Sequence, residues 1–138
     1  MRRLPLVESR SAVYEAWPAR PQDFNSIPLL RDARGRRYTY LRLSVTDRCD
    51  LACVYCMPQS GEDEHAIRRD LLSFEEAVRV VSVFVMAGIR RVRFTGGEPL
   101  VRRDLPDLVR MVAEVPGIED LSLSTNAVLL AEHADALR

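Results

Sequence analysis

A chain of 138 residues, 47% apolar and 29% charged, is the size and balance of one soluble globular domain with a modest core. Its basic and acidic residues number 20 each, so no net field draws it to nucleic acid or to an anionic membrane. All the basic residues are arginine, which we read as biased codon usage. No apolar run follows the paired Arg2 and Arg3, which argues against a signal peptide or membrane span and makes the cytoplasm the default location.

Residues 1–27 contain Pro5, Pro18 and Pro21 and no clear period. They read as an N-terminal extension with a short helix near 12–16, ahead of a domain over 28–138. Residues 38–45, YTYLRLSV, alternate and are rich in β-formers, which predicts a strand. The stretch CDLACVYC follows at 49–56 and holds every cysteine of the chain, Cys49, Cys53 and Cys56; a polar run at 59–65 continues the loop.

Ser73 and Glu76 have the spacing of a capping box. Behind them Phe74, Ala77, Val78, Val81, Phe84 and Val85 share a helical face, and Gly88 suits the stop. A strand is predicted over 90–95, then the turn Gly96-Gly97-Glu98-Pro99. Asp104 is placed to cap a second helix carrying Leu105, Leu108, Val109 and Val112 on one face, ended by Pro116-Gly117. A third strand is expected over 121–125 and a third helix over 129–137.

The alternation of strand and helix predicts an α/β fold with a parallel sheet built from right-handed βαβ units. Unusual residues follow the C-terminal end of each strand: the cysteines, GGEP, and Ser124-Thr125-Asn126-Ala127. That edge is where parallel α/β folds build their sites.

In a reducing compartment, three clustered thiols suit metal better than disulfides, and an odd number leaves one spare in any pairing scheme. Three cysteines can ligate three irons of a cubane cluster and leave the fourth iron open to a small molecule. The competing reading is structural zinc with His65 as fourth ligand. Blander readings exist for the other residues as well. GGEP alone is an ordinary turn, Arg42 and Arg93 are the solvated face of a strand, Arg102 and Arg103 face solvent, and Tyr55 is a packing aromatic.

The spacing C-x3-C-x2-C followed by GGEP resembles the radical S-adenosylmethionine (SAM) superfamily. Within it, LRLSVTDRC at 41–49, VYCMP at 54–58, LSFEE at 72–76, TGGEPLVRRDL at 95–105 and the segment 121–126 resemble the GTP 3′,8-cyclases of molybdenum cofactor biosynthesis. The resemblance implies a partial (βα) barrel of about three βα units, a 4Fe–4S cluster and SAM. In that family a 5′-deoxyadenosyl radical takes hydrogen from C3′ of GTP, and the carbon radical attacks C8 of the guanine. By position, Cys49, Cys53 and Cys56 match the cluster ligands. Tyr55 and Gly97 match SAM contacts, and Glu98 is suited to the SAM ammonium. Arg42, Arg93 and Ser124 match GTP contacts. The implied partners are an electron donor such as flavodoxin or ferredoxin and cyclic pyranopterin monophosphate synthase, which acts on the product. A homodimer is compatible with the family; nucleic acid and membrane are not expected.

The match departs from the family in places. Asp50-Leu51-Ala52 replaces the usual asparagine-aromatic-arginine, and Ala127 stands where glycine is usual. The later βα units, a GTP-binding lysine and a second cysteine trio have no counterpart. The expectation is therefore a truncated domain with two functional alternatives. One is a cyclase active in its complete or complemented form; the other is a non-catalytic piece that binds a cluster or SAM without turnover.

Overall fold

A computed structural model describes residues 28–56 and 71–138. The expected helix near 12–16, the polar run at 59–65 and His65 lie outside the described residues. Strand β1 (Tyr40–Ser44) leads across the cysteine segment to helix α1 (Phe74–Met86). Strand β2 (Arg91–Thr95), a 3₁₀ turn (Pro99–Val101), helix α2 (Leu105–Ala113), strand β3 (Asp120–Leu123) and helix α3 (Leu130–His133) follow. The strands form one open parallel sheet in the order β1-β2-β3. The predicted α/β class and parallel pairing hold; the sheet among the described residues is open, without barrel closure.

Alternation decides which side of the sheet is covered. Leu43 from β1 and Val92 and Phe94 from β2 are buried, together with Ala77, Val81 and Val85 of α1 and Leu105, Leu108 and Val112 of α2. Fully burying a side chain such as Phe94 removes enough apolar area to contribute roughly 2–3 kcal/mol. The intervening residues Tyr40, Arg42, Arg91 and Arg93 remain exposed on the other face. In register, Arg42 lies beside Arg93, and Arg93 beside Ser122.

The capping box forms as expected. Ser73 Oγ accepts from the Glu76 amide at 3.2 Å, and Glu76 Oε2 accepts from the Ser73 amide at 2.7 Å. Two local expectations are corrected. Asp104 adopts a left-handed conformation (φ 59°) and makes no side-chain cap; its carboxylate turns instead toward Arg103, 3.4 Å away. The last helix is a single turn, Leu130–His133, with none of its own residues buried; Leu129 and Leu137 pack against the core from the turns on either side of it.

No helix among the described residues is long and apolar enough to cross a membrane. A cavity of about 170 Å³ lined by Leu29, Tyr38, Ala87 and Arg90 sits at the N-terminal ends of β1 and β2, away from the thiols.

Candidate functional site

The cysteine segment begins where β1 ends, and main-chain contacts fix its course. The Val45 amide donates to Thr95 O at 2.9 Å, extending the β1–β2 ladder. One turn on, the Gly97 amide donates to Thr46 O (2.9 Å) and the Glu98 amide to Arg48 O (2.8 Å). The glycines permit this stacking. A Cβ on Gly96 would collide with Thr46 O, and one on Gly97 with Arg48 O; Gly96 also needs φ 151°. The sequence suggested that Gly97 admits a ligand to the backbone. In the structure, what approaches it is the backbone just before Cys49.

Cys49 and Cys53 are half-buried and Cys56 is exposed, all as free thiols. A turn closed by the Cys56 amide on Cys53 O (2.9 Å) brings the last two together. Tyr55 at the tip of this turn is 89% exposed, so it is not a packing aromatic. A side-chain hydrogen bond with Cys53 and the charges of Cys53 and Cys56 push its phenol above the usual tyrosine range. Among the described residues, no three cysteine, histidine or acidic side chains already converge on a metal position. The donor chemistry nevertheless fits a cluster: three unpaired thiols stand in one short loop, two of them joined by a turn.

Glu98 is 1% exposed, and its carboxylate binds within the protein. Oε1 accepts from the Leu100 amide (2.9 Å) and Thr125 Oγ1 (2.9 Å); Oε2 accepts from the Asn126 amide (2.6 Å). The GGEP loop is thereby tied to the loop after β3. A second tie runs from Asn126 Nδ2 to Asp50 Oδ1, 2.6 Å, joining the loop after β3 to the residue next to Cys49.

Arg102, read from sequence as solvent-facing, is half-buried. Its guanidinium donates to Val45 O at 2.8 Å and to Leu72 O, and lies 4.8 Å from the centre of the Phe74 ring. It therefore grips the chain on both sides of the cysteine segment. Asn126, Asp50 and Arg102 were missed because their partners are distant in sequence, 76 residues apart for Asn126 and Asp50. The nearest sequence signal was Asn126, inside the STNA turn.

The arginines occupy the open face of the sheet. Arg93 Nε donates to Ser122 Oγ at 3.0 Å, and its guanidinium lies 5.7 Å from the Tyr40 ring centre. The Ser124 amide donates to Phe94 O (3.0 Å), which holds Ser124 at the C-terminal edge of the sheet. That edge brings together the thiol loop, Gly97, Glu98 and Ser124, while Arg42 and Arg93 lie one strand layer below on the exposed side.

Residues 43–138 match the radical SAM superfamily. A GTP 3′,8-cyclase of Acidothermus cellulolyticus is 50% identical over 112 residues, covering 79% of this chain and 31% of that protein. One from Rhodopirellula baltica is 51% identical over 110 residues, covering 79% and 30% respectively. Another, from Listeria welshimeri, is 48% identical over 110 residues, covering 80% and 33%. The chain thus spans about a third of the length of the curated relatives it matches. A match running from β1 to the last residue makes this chain a member of the radical SAM superfamily.

Proposed function

We propose that the chain carries the cluster- and SAM-binding part of a GTP 3′,8-cyclase of molybdenum cofactor biosynthesis, with residues 28–138 as a partial radical SAM barrel. The observation that supports this most is the loop of three free thiols resting on the diglycine turn. A 4Fe–4S cluster bound there supplies an electron and an open iron for SAM, whose reductive cleavage starts radical chemistry on GTP.

Cys49, Cys53 and Cys56 hold the cluster. Tyr55 and Gly97 flank SAM, and Glu98 is assigned to the SAM ammonium. Arg42 and Arg93 take the negative charge of GTP on the open sheet face, and the Ser124 hydroxyl adds a hydrogen bond. Flavodoxin or ferredoxin supplies the electron, and cyclic pyranopterin monophosphate synthase takes the product. The protein works in the cytoplasm, where its thiols stay reduced, and a homodimer is compatible with this role.

Anaerobic reconstitution with iron and sulfide tests the reading. Brown protein with about four iron and about four sulfide per chain is expected. Cys53→Ala removes the central ligand and should abolish that uptake. Colourless protein holding stoichiometric zinc, or full iron content in Cys53→Ala, overturns the ligand assignment.

The short share of the relatives' length favours a second reading for the chain alone: cluster or SAM binding without turnover of GTP. Incubating the reconstituted chain with dithionite, SAM and GTP separates the two. Cyclised GTP supports the complete activity; 5′-deoxyadenosine without cyclised GTP supports a cluster-and-SAM unit whose substrate positioning lies elsewhere.

A further inference from the structure

Asn126 is held from three directions. Its amide donates to the buried Oε2 of Glu98 (2.6 Å), its side-chain oxygen accepts from the Val128 amide (3.0 Å), and Nδ2 donates to Asp50 Oδ1 (2.6 Å). The first bond anchors the residue to a carboxylate that is 1% exposed, and the second fixes which way the amide group faces. Only the donor end is left for Asp50. The next residue, Ala127, sits at φ 68°, a left-handed conformation unfavourable for a residue with a Cβ. Such a conformation persists where surrounding bonds over-determine it.

Asp50 adjoins Cys49, and its Oδ1 is 3.9 Å from the Cys49 sulfur. We propose that Asn126 is a positioning residue for the thiol loop, its side chain latching Asp50, and through it Cys49, to the loop after β3. The path Glu98–Asn126–Asp50 runs from a buried anchor through the loop after β3 to the first thiol. Asparagine suits the middle place because it offers a donor to one side and an acceptor to the other. An aspartate there would keep the bond from Val128 but face Asp50 carboxylate to carboxylate. The proposal rests on the cluster reading for its consequence, namely that a latched Cys49 retains iron; the latch itself is testable without metal.

The full chain is compared with Asn126→Asp, Asp50→Asn and the double exchange carrying both. In the metal-free protein, alkylation of Cys49 by N-ethylmaleimide is followed by peptide mass spectrometry. Asn126→Asp should raise the Cys49 rate on the order of tenfold, the equilibrium equivalent of one charge-assisted hydrogen bond. The double exchange rebuilds an amide–carboxylate bond with the partners reversed and should return the rate to within about twofold of the unsubstituted chain. After reconstitution, loss of iron to a chelator should follow the same order. An unchanged Cys49 rate in Asn126→Asp, or no recovery in the double exchange, overturns the latch. Failure of the unsubstituted chain to take up iron overturns the cluster reading instead, and the alkylation result then decides the latch alone.

Discussion

Gly97 illustrates what a residue can reveal before its neighbours are known. A glycine followed by glutamate and proline advertised a close approach, but not what would approach. The neighbour is the Arg48 carbonyl, with which a Cβ at position 97 would overlap. Gly97→Ala should therefore push the cysteine segment off its floor and lower stability by about 1–3 kcal/mol, the usual range for overpacking. Urea unfolding measures this, and a midpoint equal to that of the parent would show that the segment yields freely. The cysteines stood out in the sequence by type and spacing, and the structure finds them as free thiols in one loop. Arg102 was not legible, since the carbonyls it binds are 57 and 30 residues away in sequence and a carbonyl has no identity in the sequence.

At the level of single elements, local rules succeeded where both partners were local. Helix α1 starts at Ser73 because the reciprocal bonds with Glu76 span only three positions. Ser73→Ala should cost about 1 kcal/mol, read as a lower melting temperature at neutral pH. Glu75, in the first turn, has its carboxyl held below the ordinary 4.5, first by its own backbone amide and then by Ser73. A lowered folded-state value means the ionised group stabilises the fold above about pH 4.5, and that this is lost as pH falls through the lowered value. Glu75→Gln should accordingly be less stable than the parent at pH 7 and equal to it in acid, by a small margin because the group is exposed and screened by solvent. A constant difference across that range would contradict this. The Asp104 cap is just as local and still failed, because a left-handed backbone turned the carboxylate away. The overlong reading of α3 followed apolar residues that do meet the core, but Leu129 and Leu137 reach it from turns that flank a single helical turn.

Taken whole, the order of elements was enough to foresee a parallel sheet, because each crossover contains a helix and joins neighbouring strands. What the open face carries was half legible: Arg42 and Arg93 alternate with apolar residues, but the Ser122 bond and the Tyr40 contact that orient Arg93 needed the sheet register. Among the described residues β1 and β3 each pair only with β2, leaving both outer edges of the sheet unmatched. Exposed strand edges recruit other strands, so the chain should associate as its concentration rises. Sedimentation that stays monomeric at every concentration would count against this. The grip of Arg102 on Val45 and Leu72 has a different consequence for the molecule. If the backbone were severed between Cys56 and Leu72 at an engineered protease site, every thiol would remain on the first piece, while Arg102, Gly97, Glu98, Asn126 and strand β2 would remain on the second. The two pieces should elute together after cleavage, because β-pairing and these side-chain grips, rather than the covalent chain, hold the thiol-bearing half in place.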